Sequence, residues 1–237
     1  MHQTIERRSL MQLATVGATV AALSPIGTAA AQTAQPAPAK PNYAPKPPPF
    51  DPKSIKGLSE KILTSHYDNN YTGAVKRLNA ITAQLAELDV AKAPVFVING
   101  LKREELIAAN SMILHELYFG GLGEESQPGS ALNDALARDF GSVDRWRAEF
   151  VAMGKAEGGG SGWVLLTWNP HDKRLINTWA ADHTMNLAGG HPILALDMYE
   201  HAYQMDYGAK AGDYVDAYMK AIRWANADQL FERYSRS

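Results

Sequence analysis

The chain has no cysteine among its 237 residues. Disulfides, zinc–thiolate sites, iron–sulfur clusters and cysteine nucleophiles are thereby excluded, and any metal must be held by His, Asp or Glu. Net charge is also small. Lys and Arg number 23 against 25 Asp and Glu, which leaves −2 with histidine neutral. Neither nucleic acid nor an anionic membrane finds a surface of one sign to hold, so neither partner is expected beyond export. Short catalytic motifs are missing as well. There is no His-Glu-x-x-His, no calcium loop and no Gly-x-Ser-x-Gly elbow. The stretch EGGGSGW at 157–163 is glycine-rich, but it follows a helical pattern and opens a strand, the wrong order for a phosphate loop. Hydrophobic residues at 46% are ordinary for a globular protein with a real core.

No long leucine-rich run is present either. The one apolar stretch near the start, LATVGATVAALSPIGTAAA, is short and rich in Gly, Ala and Thr. It follows Arg7 and Arg8 and ends in an Ala-x-Ala pattern at Ala29–Ala31. Residues 1–31 therefore read as a signal peptide, and the paired arginines before Ser9, Leu10 and Met11 resemble a twin-arginine signal for proteins exported folded. A membrane anchor and a general secretory signal are the alternatives. The expected location is periplasmic or otherwise exported, after signal removal. Residues 32–50 are proline-rich and read as an extended linker with no packed core.

From residue 51 onward the pattern is helical first. Asp51 and Pro52 are expected to open a helix as N-cap and first position. Ile55, Leu58, Ile62 and His66 recur at helical spacing, as do Val75, Leu78, Ile81 and Leu85. APVFVINGL reads as a break with a short extended piece. A second helical run follows, with Leu106, Ala109, Ile113 and Leu117 on one stripe and Gly120, Gly121 and Gly123 ending it. Two more helices split at Gly141–Ser142. The period then changes to that of strands at SGWVLLTWNP, RLINTWAADH and HPILALDMY, and returns to helix to the end. The order predicts an α+β protein: an N-terminal helical hairpin lobe over 51–125, then an α/β lobe over 126–237 with a three-stranded antiparallel sheet.

Of the seven histidines, His171 falls in a turn and His191 precedes Pro192 in a loop. His66, His115, His183 and His201 fall in apolar or structured surroundings. Any one of them alone reads as a satisfied core histidine. Taken with Asp197, at the end of an apolar run, they need a common reason for burial, because an unpartnered buried imidazole or carboxylate costs several kcal/mol. A shared metal ion would supply one.

These residues also carry a resemblance. LDMYEHAYQMDY is similar to the Asp-x-Trp-Glu-His-Ala-Tyr signature of the iron/manganese superoxide dismutase family. LTSHYDNNY resembles that family's first-ligand helix and ILHELYFGGL its second. FGSVDRWRAEF, GGSGWVLLTWN and GDYVDAYMKAIRW match the segments around and after the sheet, in the same order. The resemblance implies His66, His115, Asp197 and His201 as ligands of one iron or manganese ion per subunit, with a bound solvent molecule completing a five-coordinate site. It implies superoxide as substrate and a homodimer or higher homo-oligomer.

The resemblance also marks departures. His183 stands where the family often has a glutamine beside the bound solvent, and is expected to hydrogen-bond that solvent and tune the potential. The usual gateway tyrosine is Ala74, the usual outer histidine is Asn70, and the usual second tyrosine after the last ligand is Gln204. Tyr71 either supplies the missing hydroxyl or packs in the core. Tyr199 and Phe119 replace two pocket tryptophans, and Trp163 matches a third. Glu200 matches a residue that pairs with the partner subunit's last histidine ligand, which together with Gln204 marks the dimer contact. The implied function is superoxide dismutation. The rivals are a same-fold metal protein with little dismutase activity and a metal-free helical interaction domain. Replacing Arg7 and Arg8 by lysine is expected to leave the protein in the cytoplasm on cell fractionation; unchanged export would point to the general secretory route.

Overall fold

Ser59 starts the first helix. Its hydroxyl accepts from the Ile62 N–H at 3.1 Å and caps α1 (Glu60–Ser65). The start expected at Asp51–Pro52 is not used. Residues 51–58 form turns instead, because Asp51 spends its side chain on the Lys53 N–H and its carbonyl on the Ser54 N–H. The computed structural model describes residues 41–236, so the expected signal peptide and residues 32–40 of the linker lie outside the described residues. None of the described helices is long and apolar enough to cross a membrane.

α1 runs directly into a π-helical turn (His66–Tyr71) and on into α2 (Thr72–Glu87). The Thr72 N–H reaches back to Tyr67 O, so the turn holds one residue more than an α-helix does. That extra residue joins two apolar runs that a straight helix would put out of phase. Ile62 and His66 before it, and Tyr71, Val75 and Leu78 after it, are all buried.

α3 (Val95–Gly120) packs on α2 as the second arm of the hairpin. The extended piece expected at 94–101 is helical from Val95, with Pro94 ahead of the first turn, where its missing N–H costs no helical bond. The expected stripe is also corrected. Leu106 and Ile113 are exposed, and the buried face runs through Ala108, Ser111, Met112, His115 and Phe119. Apolar residues lie all around α3, so spacing cannot select the face that packs.

The end of the proline-rich segment belongs to this lobe, contrary to the expectation of a stretch without packing. Tyr43 and Asn79 exchange two hydrogen bonds of 2.8 Å, and the Lys46 N–H donates to the Tyr71 hydroxyl, also at 2.8 Å. Phe50 packs its ring on Phe119. Pro47, Pro48 and Pro49 stiffen the backbone, so little entropy is lost in presenting these anchors.

The second lobe begins with α4 (Ser130–Phe140) and α5 (Val143–Ala156). Gly141 turns between them at φ +89°, and the Ser142 hydroxyl caps α5 by accepting from Arg145 N–H. Strands β1 (Trp163–Asn169), β2 (Arg174–Ala180) and β3 (His191–Asp197) form one antiparallel sheet in the order β2-β1-β3. The register pairs Trp163 with Asp197. His191, expected in a loop, is the first residue of β3 and stacks on Tyr234 at 4.3 Å.

A 3₁₀ turn (Glu200–Ala202) and three helices follow: α6 (Gln204–Tyr207), α7 (Ala211–Tyr218) and α8 (Trp224–Ser235). The helical run expected to the end is thus interrupted. Ile222 bridges Leu122, and Gly123 N–H and Arg223 N–H bond Ala221 O and Gly121 O, which fastens the end of α3 to the segment before α8. Ser59 and Asp206 tie the lobes a second time, through two bonds of 2.7 Å. The two lobes pack into one compact unit.

Glu157, just past α5, is buried, and neither carboxylate oxygen has a hydrogen-bond partner. Burial, with the Asp197 charge adding, pushes its carboxyl up to about 7. The folded form therefore holds this proton more tightly than the unfolded chain does. The resulting stability is present below the ordinary carboxylate value and is lost as pH rises through about 7. Glu157→Gln is expected to raise the melting temperature at pH 8 by about 2–6 °C. The gain should vanish near pH 5 in the same thermal scans.

Candidate metal centre

Four side chains from four separate elements converge. His66 opens the π-helical turn, His115 lies on α3, Asp197 ends β3 and His201 sits in the 3₁₀ turn. Their ligand atoms all lie within 4.8 Å of one another. The Nε2 atoms of His66, His115 and His201 are 3.2, 3.6 and 3.2 Å from Asp197 Oδ2. Bonds of about 2.1 Å to a transition-metal ion put neighbouring donors about 3 Å apart and opposed donors about 4 Å apart. The observed spacings match.

Protonation explains why such a group needs a cation. His115 Nδ1–H donates to Ser111 O at 2.6 Å, which leaves a lone pair on Nε2. Burial lowers the His66 imidazole and, with the His66 charge, lowers that of His115 to about 3. Burial pushes the Asp197 carboxyl upward, but His201 and His66 outweigh it and hold it well below the usual carboxylate range. His66 and His115 are thus neutral imidazoles aimed at a buried carboxylate, and His201 Nε2 lies within hydrogen-bond distance of the same Oδ2. Nε2 of His66 and of His115 are buried and make no hydrogen bond. Uncompensated lone pairs facing a carboxylate repel, and a metal ion at their centre turns that repulsion into ligation. The donor set of three imidazoles and one carboxylate fits iron or manganese.

Aromatic rings wall the site. Phe119 lies 5.0 Å from His66, and Trp163 meets His115 edge-on at 5.3 Å. Trp163 Nε1–H donates to His183 Nδ1 at 3.0 Å. Burial lowers the His183 imidazole, so the neutral ring carries its proton on Nε2 and presents a donor there. Asn110 holds the same residue by its carbonyl, at 2.6 Å. Tyr199 stacks between His183 and His201, at 4.8 Å and 5.3 Å, with interplanar angles of 14° and 16°. Asp197 is fixed from two sides: Tyr199 N–H donates to Oδ1 and the Tyr214 hydroxyl donates to the backbone carbonyl.

The remaining expected residues lie further out. The Tyr71 hydroxyl accepts from the Lys46 N–H and donates to Glu116, so of its two readings the structure favours a packed, tethered tyrosine. Asn70 shares the π turn with His66, and among the described residues no hydrogen bond joins its amide to the ligands. Ala74 is buried on α2. Glu200 and Gln204 are exposed on either side of His201. Sequence reasoning missed Ser111, which orients His115, and Tyr118 and Tyr214, which back His66 and Asp197. Ser111 stands one helical turn before its ligand, a spacing that could have found it.

Fold and site together define an α+β protein in which, among the described residues, one largely buried His₃Asp group that could hold a metal ion lies between a helical hairpin and a small sheet. Residues 128–230 match the family model for the C-terminal domain of iron/manganese superoxide dismutases. The protein named superoxide dismutase [Fe] of Cupriavidus metallidurans is 66% identical over 189 residues, which covers 80% of this chain and 96% of that one. Superoxide dismutase [Mn] 1 of Halobacterium salinarum is 35% identical over 195 residues, covering 81% and 96%. Superoxide dismutase [Fe] of Aquifex pyrophilus is 33% identical over 190 residues, covering 77% and 88%. The chain belongs to the iron/manganese superoxide dismutase family.

His115→Ala removes a ligand and leaves Asp197 facing fewer partners. Metal content on elemental analysis is expected to fall below about a tenth of the unaltered protein's, with a lower melting temperature. Full occupancy in that variant would overturn the ligand set.

Proposed function

We infer that this chain is a superoxide dismutase that holds one iron or manganese ion per subunit through His66, His115, Asp197 and His201. The observation that carries the inference is the convergence of three imidazole nitrogens on Asp197 Oδ2 in a buried, aromatic-walled pocket. Two superoxide anions and two protons become oxygen and hydrogen peroxide. The bound ion supplies a reversible one-electron couple. The protein supplies the rest. Asp197 contributes the one negative ligand charge, and its carboxylate accepts from Tyr199 N–H, which limits its donor strength. His183 offers an Nε2–H donor that Trp163 and Asn110 hold in place, the polar group that tunes the centre and steadies an oxygen ligand. Phe119, Trp163 and Tyr199 keep bulk water from the ligands.

A second reading is a metal protein of this fold with little dismutase activity. Its support is specific. Ala74 has no hydroxyl, and the Tyr71 hydroxyl is committed to Lys46 and Glu116. Proton delivery in this chain must therefore run through His183 and solvent.

Two further proposals rest on sequence and exposure. Arg7 and Arg8 and the Ala29–Ala31 pattern support export to the periplasm through a twin-arginine signal. Glu200 and Gln204, exposed beside His201, support a homodimer whose contact adjoins the metal. Purified protein should contain iron or manganese on elemental analysis, dismutate superoxide by pulse radiolysis when loaded with one of the two, and scatter light as a dimer. Absence of either metal would sink both readings. Full metal with a negligible rate would establish the second.

A further inference from the structure

Tyr118 is fully buried, and its ring lies 5.0 Å from that of the ligand His66. Among the described residues its hydroxyl is bonded only to the Tyr214 hydroxyl, at 3.4 Å, beyond the ordinary range for such a bond. A phenylalanine would fill the same volume with no hydroxyl to desolvate, so packing does not account for this phenol. Tyr214 and Tyr218 are different. Their hydroxyls donate to Asp197 O and Ala195 O at 2.8 and 2.7 Å and hold the end of β3. From Tyr214 the contacts continue outward. Tyr207 lies 6.1 Å away, ring to ring, and is only partly buried. Three phenols thus form a continuous series from a metal ligand to solvent.

We propose that Tyr118, Tyr214 and Tyr207 carry oxidising equivalents from the metal centre to the protein surface and so protect the ligands from the hydrogen peroxide that the reaction makes. The proposal rests on the reading of the site as a redox-active centre. A reduced ion held by His66, His115, Asp197 and His201 would give hydrogen peroxide one electron, which with one proton yields water and a hydroxyl radical. That radical takes the phenolic hydrogen atom of Tyr118, forming a second water and a neutral tyrosyl radical. The Tyr214 hydroxyl lies 3.4 Å from that of Tyr118, and its proton turns from Asp197 O to the oxygen of the Tyr118 radical. Its O–H bond breaks as that of Tyr118 re-forms, and the radical moves to Tyr214 without a buried charge. Tyr207 then gives up an electron and its phenolic proton, while one electron and one proton restore Tyr214. At the surface the Tyr207 radical takes one electron and one proton from a diffusible enediol or phenol and returns to the phenol.

The test uses the whole chain loaded with iron, with a zinc-loaded sample as the redox-inert comparison. The iron is loaded as the ferrous ion without oxygen, hydrogen peroxide is added with no other reductant, and samples are frozen for electron paramagnetic resonance and digested for peptide mapping. The iron-loaded protein is expected to give a tyrosyl signal, with oxidation mapped to Tyr207. Tyr118→Phe should lose that signal, release iron faster and show oxidation at His66 and Phe119. Tyr207→Phe should move the oxidation inward to Tyr214, and it carries the test if Tyr118→Phe does not take up iron. Ascorbate, an enediol, should quench the signal in the unaltered protein. An iron-loaded protein with no tyrosyl signal, or a Tyr118→Phe variant with unchanged radical yield and iron retention, overturns the chain of phenols alone. A protein that takes up only manganese overturns the proposal alone, and one that takes up neither metal overturns the site reading with it.

Discussion

The structure depends on one buried carboxylate. Asp197 has no solvent and faces three imidazole nitrogens, two of which have no hydrogen-bond partner among the described residues. Two members of that cluster belong to the hairpin and two to the end of the sheet and the turn after it. With an ion at its centre the same atoms hold the lobes together, so metal affinity and folding stability are linked. Much of the neighbouring architecture serves this one group. The β1–β3 register sets Asp197 opposite Trp163, the π turn brings His66 into phase with the core, and Ser111 aims His115.

His183 shows how a neutral imidazole can present the same hydrogen-bonding pair as an amide. An amide offers an acceptor at one end and a donor at the other. A neutral imidazole does the same when one nitrogen accepts and the other carries the proton. The Trp163 N–H fills the acceptor role on Nδ1, which leaves the proton on Nε2 of His183. Tyr199 completes the arrangement by stacking between His183 and the ligand His201, coupling the orientation of one ring to the other. The outer departures are of another kind. Ala74 carries no hydroxyl, and the Tyr71 hydroxyl bonds the Lys46 N–H and Glu116, which fastens the proline-rich segment to the hairpin.

Much of the fold was legible because its signals are local. The three strands, the Gly141–Ser142 break and the order of lobes follow from periodicity and turn residues. What failed did so where two local choices compete or where local pattern is silent. Asp51 chose a turn over a helix cap. Val95–Leu101 joined α3, since a β-branched apolar run reads equally as strand or buried helix. The exposure of Leu106 and Ile113 could not be foreseen on a helix that is apolar on every side.

By itself the sequence determined which chemistry was possible. Without cysteine, any metal ligation falls to histidine and carboxylate, and the ordered motifs pointed to His66, His115, Asp197 and His201. Their burial, their shared focus on Asp197 Oδ2, the tautomer of His183 and the commitment of the Tyr71 hydroxyl were decided only by the tertiary structure. The reason is range. A motif records residues adjacent in the chain, whereas protonation and ligation depend on atoms a few ångströms apart, contributed by elements more than a hundred residues distant.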